Sequence, residues 1–566
     1  MPGSHVPTSL GTMTINVLDR PDALDATARS APFRPGSLWW TPIAWMALAA
    51  AVLATAVVAT PVAMAPGSLV WWTLTVVLHA PFGVILVFLF AGLIERVGYA
   101  FRGFRPEEPG VIPADMPRVC IQLPMFNEDA VAARVILAAG AIDWPRDRFE
   151  VQVLDDSTDA AARAIVDDAV AELRATGVHC TVLRRDDRVG YKAGALEEGR
   201  RRTRAAFLMI LDADFLPEAD LLRRVVPYFY DSHARPLADV AFVQARWGHL
   251  NREESALTRA QTLWVDDHHT LQMSWRSAQW GFVNFTGTAG IWRADAIERS
   301  GGWRAASLVE DCELSFRALF AGYRTRFVKE VVVSAELPAT HRAYRAQQKR
   351  WTQGWAQLQR LHARTLSTTY LTGPIRRLHL LYHLAIPCQW PVWGVWMLLL
   401  PILVHEGLWF GASASGMGLL VYVAPTLVWL GLASAVATVE TARLDGDRTP
   451  GVLTRGILRV FPYAALNTGM LPQQVAAYVE GLRGPLHAEF VRTPKTASMG
   501  TSAHAAPRRK GAWRLSGVTT AAEVFFVSYQ LGWAAVFANL GLTWPMLLSC
   551  AVAICVVTVS VRGARG

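Results

Sequence analysis

The chain has 566 residues, of which 52% are hydrophobic and only 18% charged, with a formal net charge of +9 and mean hydropathy +0.24. That length exceeds one ordinary domain, and that apolarity is high for a soluble protein. A basic balance on an apolar chain fits a membrane protein whose cations gather on the cytoplasmic side; no nucleic-acid motif accompanies it, which argues against that partner.

In chain order, residues 1–36 are polar and punctuated by Pro and Gly, as in a disordered tail. No charged residue then occurs between Arg34 and Glu95. The stretch 37–95 holds two spans of about 20 residues, broken near Pro61–Gly67. A cleavable signal peptide would carry one short apolar core nearer the start. Residues 115–365 regain charge, and short β-rich runs alternate with helical patterns, which predicts an α/β sheet. The strand candidates are Val119–Leu123, Phe149–Leu154, Cys180–Leu183, Phe207–Leu211 and Val240–Gln244.

Residues 376–440 turn apolar again and supply two spans, Leu378–Val404 and Leu408–Val439. The segment 441–515 is rich in Arg and Pro, with an amphipathic helix candidate at Val475–Leu482, and is expected on the cytoplasmic interface. Residues 516–561 fit two more spans, divided near Asn539–Thr543. The loops at 61–67, 405–406 and 539–543 lack Lys and Arg, whereas the other connections are rich in them. The positive-inside rule then places both termini and the α/β segment in the cytosol, with six spans. The six cysteines form no CxxC pair and no zinc-like spacing with histidine, so they read as thiols in a reducing compartment.

The chemistry lies in acidic residues just after predicted strands, where open α/β sheets bind their ligands. Asp155 and Asp156 end the second strand, and Asp212 and Asp214 end the fourth. Residues i and i+2 of an extended backbone face the same way, so Asp212 and Asp214 can converge on one hard cation, Mg²⁺ or Mn²⁺, beside substrate phosphates. A third acidic pair, Glu310 and Asp311, opens the helical pattern 312–321. Finally, Gln347, Arg350 and Trp351 share one face of a predicted helix, offering a fixed cation for phosphate and an aromatic plane for a sugar ring.

Singly, each pattern has an ordinary explanation as a turn former, an acidic helix start or an interfacial anchor. Four of them in order, bracketed by spans, do not. His268 and His269 beside Asp266 and Asp267 are a weaker signal: adjacent helical positions diverge by about 100°, which favours a solvated or capping role over metal ligation.

In this order the motifs resemble the processive family 2 glycosyltransferases, the group of cellulose, hyaluronan and mannan synthases. The strings QLPMFNE (122–128), VLDDSTD (153–159), GYKAGAL (190–196), FTGTAGIWR (285–293) and VEDCELSFRA (309–318) look most like plant-type mannan and glucomannan synthases and their bacterial relatives. The resemblance implies a cytosolic nucleotide-sugar glycosyltransferase domain of the GT-A type, inserted between transmembrane helices. It further implies that Asn127, Glu128, Asp155 and Asp156 serve the nucleoside pocket, that Lys192 approaches the diphosphate, and that Gly287 and Thr288 lie at the donor–acceptor junction. Phe490, Thr493 and Lys495 match a loop that closes over the donor in cellulose synthases, although Arg492 stands where that pattern has Val.

A metal-bound diphosphate needs no protonation to leave, so a single general base should suffice, and Asp311 is assigned that role. Direct in-line attack would invert the anomeric carbon. The expected partners are a nucleotide-sugar donor (GDP-mannose or UDP-glucose), a glycan or lipid acceptor and membrane lipids, in a bacterial-type inner membrane. An export subunit or a homo-oligomer is left open. Two alternatives remain: a transferase that adds one sugar to a lipid, and a transporter or scaffold with an inactive transferase-like domain.

Overall fold

The computed structural model describes residues 69–102, 108–408, 420–447, 450–486 and 517–565. The tail, the first expected span and the segment bearing Phe490, Thr493 and Lys495 lie outside the described residues.

Seven strands form one sheet: β1 Val119–Met125, β2 Phe149–Asp155, β3 Cys180–Leu183, β4 Phe207–Ile210, β5 Val240–His249, β6 Gly290–Arg293 and β7 Arg324–Ala335. Their order is β3-β2-β1-β4-β6-β5-β7. The first four strands pair in parallel, β6 runs antiparallel to both β4 and β5, and β7 pairs parallel with β5. The fold is thus a mixed α/β sheet. All five expected strands are present, with β5 reaching His249 rather than Gln244; β6 and β7 were not foreseen. Strands β1, β2 and β4 are apolar because both their faces are covered. One core lies on the side of α2 (Ala132–Gly140) and α3 (Ala160–Ala175). A second lies on the side of α4 (Tyr191–Arg201) and packs Phe242, Phe285, Trp292 and Trp303 together.

The remaining principal helices are α1 Leu69–Arg102, followed after the sheet's first half by α5 Ala256–Asp266, α6 Met273–Trp280, α7 Glu310–Phe320 and α8 His341–Arg364. Then come α9 Pro374–Ala385, α10 Gln389–His405, α11 Leu420–Leu444, α12 Val460–Arg483, α13 Gly517–Asn539 and α14 Thr543–Arg565. Among the described residues, four helical stretches are long and apolar enough to cross a membrane: Thr75–Ala100, Pro374–His405, Gly517–Asn539 and Thr543–Ala564. Val76, Val87, Phe525 and Ile554 on these stretches are exposed, as hydrocarbon solvent requires. Within the segment read as interfacial, α12 runs for 24 residues, packs along α8 and α14, and buries Gln473 and Gln474. Gln473 exchanges two hydrogen bonds with Arg345 of α8, at 2.7 and 2.9 Å.

Ion pairs, four of them buried and the Arg246–Asp445 pair exposed on its carboxylate side, bolt the sheet domain to these helices. Arg276 pairs with Glu95 at 2.7 Å, Lys329 with Glu440 at 3.0 Å and Arg246 with Asp445 at 2.6 Å, while Arg96 pairs with Asp267 and Arg345 with Glu523. Such pairs add little net stability, but losing one partner strands a buried charge, so they fix the register of the two parts.

Candidate active site

The loops after β1 and β2 are locked to each other. Asn127 adopts φ +54°, and its side-chain oxygen accepts the N–H groups of Thr158 and Asp159, each at 3.0 Å. Asp155 is 0% exposed; it accepts the Ser157 N–H at 3.0 Å and pairs with Arg184 at 2.8 Å. Neither Asn127 nor Asp155 lines the site's cavity: Asn127 ties the two loops together and Asp155 is spent on Ser157 and Arg184, in place of the nucleoside contact expected of them. Glu128 and Asp156 do line that cavity, with Asp156 held by two hydrogen bonds from Arg185.

Beyond β4, Asp212 and Asp214 line the same cavity. The Asp212 N–H donates to the Thr288 hydroxyl at 2.9 Å, so Thr288 sets the carboxylate's backbone. Gly190 and Tyr191 take consecutive left-handed conformations at the start of α4, with φ +75° and +48°. Lys192, next in line, donates to Asp212 at 2.5 Å and to the Gly287 carbonyl at 2.9 Å. Burial works to lower the Lys192 pKa, but Asp212, Glu310 and Asp311 outweigh it and hold the ammonium charged.

The 284–288 loop is stitched down from two sides. Gln244 on β5 donates to the carbonyls of Thr288 and Ala289 (2.9 and 3.0 Å) and accepts the Thr286 N–H at 3.1 Å. From α7, the Ser315 hydroxyl accepts the Phe285 N–H at 2.8 Å while donating to the Asp311 carbonyl at 2.7 Å. This brings Gly287 under the Asp311 carboxylate. Three of the four non-glycine residues with positive φ among the described residues, Asn127, Tyr191 and Ala289, flank this cavity, the placement expected of strain kept for function.

Glu310 and Asp311 form the first turn of α7, Glu310 buried and Asp311 half-buried. Burial, then the neighbouring Glu310, push the Asp311 carboxyl up to about 7; burial raises Glu310 as well, against Lys192. A carboxyl that gives up its proton near neutrality is suited to take one from a hydroxyl. Helix α8 approaches closely because Gly354 faces Val309, where a Cβ would stand 2.8 Å from the valine side chain. Gln347, Arg350 and Trp351 consequently reach the cavity. Burial lowers the Arg350 pKa, but Glu310, Asp212 and Asp311 act in the other direction.

Glu128, Asp156, Lys192, Asp212, Asp214, Gly287, Thr288, Glu310, Asp311, Gln347, Arg350 and Trp351 open on one cavity of about 580 Å³. It runs from Asp156, Asp214 and Asp311, past Trp351, to Trp390, Trp393 and Met397 of α10 and Trp429 of α11.

The family model for glycosyltransferase like family 2 matches residues 117–354, the span that contains every one of these motifs. The chain carries a family 2 glycosyltransferase domain. Among curated relatives, this domain is similar to glucomannan 4-beta-mannosyltransferase 9 of Arabidopsis thaliana, 40% identical over 269 residues that cover 47% of this chain and 50% of the relative. It is similar also to glucomannan 4-beta-mannosyltransferase 1 of Oryza sativa subsp. japonica, 38% identical over 280 residues, 49% and 53% of the two chains. The chain spans about half the length of the curated relatives it matches. Among solved structures, a mannosyltransferase from Pyrobaculum calidifontis in complex with GDP-Man and Mn2+ aligns with TM-score 0.45 and 21% identity, covering 67% of this chain and 99% of its own.

In this transferase domain no three His, Cys, Asp or Glu side chains converge as a self-sufficient cation site among the described residues. Asp212 and Asp214 both line the cavity and would supply part of the shell of an ion such as Mg²⁺ or Mn²⁺, the rest coming from phosphate oxygens and water.

Gly287 has φ +83°, and a Cβ there would sit 3.1 Å from Asp311 Oδ2 and 3.6 Å from Lys192 Nζ. Gly287→Ala is expected to lower kcat roughly ten-fold by pushing the Asp311 carboxylate aside and straining the loop. It should cost about 1 kcal/mol of stability, read by kinetics and thermal unfolding in parallel.

Trp264, Trp355 and Arg188, which carry no motif in the sequence, also line the cavity, as does His268. His268 and His269 depart from the solvated or capping role expected of them: each stacks on a tryptophan, Trp264 and Trp247 respectively. The structural cause is a π-turn over Asp267–Gln272, which a 100° periodicity does not register.

Proposed function

We propose that this chain is a membrane-embedded, inverting hexosyltransferase that extends a β-linked polysaccharide from a nucleotide-sugar and passes the product into the membrane helices. One observation carries this reading: the cavity lined by the carboxylates is lined also by aromatic side chains of α10 and α11. A sugar added at Asp311 then has somewhere to go.

In the proposed step, the acceptor hydroxyl loses its proton to Asp311 while its oxygen bonds to the anomeric carbon. The bond from that carbon to the diphosphate breaks, and the electron pair leaves with the nucleoside diphosphate. A divalent cation, when bound at Asp212 and Asp214, supplies charge neutralisation to the departing diphosphate. Lys192 and Arg350 add fixed positive charge beside it, and Trp351 takes the terminal acceptor ring. The named activity of the plant relatives favours mannose and hence GDP-mannose, with UDP-glucose the next candidate. The cations of the loops favour a cytosolic face for the domain.

The test offers membranes containing the chain GDP-mannose, UDP-glucose, UDP-galactose and UDP-N-acetylglucosamine separately, with Mg²⁺ or Mn²⁺. The expected result is incorporation from one hexose donor into a long product that a linkage-specific β-hydrolase degrades. A product that extracts into organic solvent with a single sugar would replace the polysaccharide reading with glycolipid synthesis.

A further inference from the structure

The acidic motifs and α8 build one wall of the cavity, and α5 with the π-turn after it builds another. His268, on that turn, lies flat on Trp264, with 5.4 Å between ring centroids and 2° between planes. Trp264 in turn stands 5.6 Å from Trp351, tilted by 36°. All three rings line the cavity. Burial, then Arg276 and Arg96, push the His268 pKa down to about 3, so its ring is a neutral aromatic at physiological pH.

The π-turn is fixed from behind. Arg96 of α1 bonds both oxygens of Asp267, and Gln272 donates to Asp267 Oδ2 at 2.6 Å. Arg276 donates to Gln272 Oε1 at 2.9 Å and to Glu95 at 2.7 and 3.0 Å. A π-turn gives up regular helical hydrogen bonding, and such turns occur often at functional sites. Here it sets the His268 ring flat against the Trp264 indole of α5, while two ion pairs to α1 keep it from shifting.

Hexose rings offer flat C–H faces to an indole and hydroxyl edges to polar neighbours, the division of labour that aromatic side chains with a polar surround satisfy. Trp264 and Trp351 form two adjoining platforms, and their separation is close to the length of one hexose in an extended chain. We propose that Trp264, backed by His268, is a second acceptor subsite that holds the sugar next to the terminal one taken by Trp351. This rests on the acceptor being a glycan, as proposed above. The acceptor class it selects is a β-linked oligosaccharide of at least two rings, in preference to a single sugar.

The experiment uses the full-length chain in detergent or lipid discs, its productive donor, and the matching hexose monosaccharide and β-linked disaccharide as acceptors. The readout is the ratio of kcat/KM for disaccharide over monosaccharide. Trp264→Leu is expected to lower that ratio roughly five- to ten-fold, and Trp264→Phe to keep most of it. An unchanged ratio in Trp264→Leu, or an equal loss on both acceptors, overturns the subsite. A wild-type chain that labels lipid and neither saccharide overturns instead the polysaccharide reading on which the subsite stands. The wild-type arm thus separates the two failures.

Discussion

Asp311→Asn is expected to reduce sugar transfer on the order of 10³-fold, the contribution of a well-placed general base. The carboxyl sits half-buried over Gly287 at the mouth of α7, beside Glu310, and loss of hydration and then that neighbour raise its pKa to about 7. Because the base must be ionised, kcat/KM of the wild type should climb as pH rises through 7. Glu310→Gln removes a neighbouring negative charge and should move that limb toward lower pH. The same shift carries a stability signature. An unfolded Asp releases its proton near 3.9 whereas the folded one holds it to about 7. Between about pH 4 and 7 the folded chain therefore binds more protons, and this group's contribution to stability falls as pH rises. At pH 8 Asp311→Asn should unfold at a higher temperature than the wild type while transferring almost no sugar. Radiolabelled incorporation and thermal melts on the same preparations check both halves; a variant that loses activity and Tm together would mark Asp311 as a structural residue.

Strands β1 to β4 were legible because parallel strands covered on both faces become unbroken apolar runs that stop at carboxylates. Strand β7 was hidden by Arg324, Arg326, Lys329 and Glu330, charges that read as surface. Two of the partners that neutralise them, Asp239 for Arg324 and Glu440 for Lys329, lie 85 and 111 residues away, and no local pattern announces them. Strand β6 has only four residues after a glycine-bearing loop, below the length at which alternation is visible. The same limit applies inside the site. Asp155 and Asp156 are indistinguishable as adjacent acids in a motif, yet one points down to Arg184 and the other lines the cavity beside Arg185. Asn127 shares this ambiguity: a side chain that holds a ligand and one that holds the neighbouring loop look alike in sequence. Lys192 was placed near a phosphate by resemblance, and the geometry gives it a partner that resemblance did not supply, the Asp212 carboxylate.

That ion pair sharpens the expectation for the cation. Chelation with EDTA should abolish transfer by the wild type, and Mg²⁺ or Mn²⁺ should restore it. Asp214→Asn should lower transfer roughly 10²- to 10³-fold, the several kcal/mol that a Lewis acid lends to a departing diphosphate, and saturating metal should not restore it. Asp212→Asn has a second consequence. With its carboxylate gone, the Lys192 ammonium is left with the Gly287 carbonyl, Glu310 and Asp311 around it. Its charge then acts more strongly on the acidic pair and holds Asp311 ionised to lower pH. The residual activity of Asp212→Asn should therefore show an acid limb displaced below that of the wild type, whereas Asp214→Asn should show none of this displacement. Identical pH profiles in the two variants would mean that Lys192 does not couple the cation end of the cavity to the base.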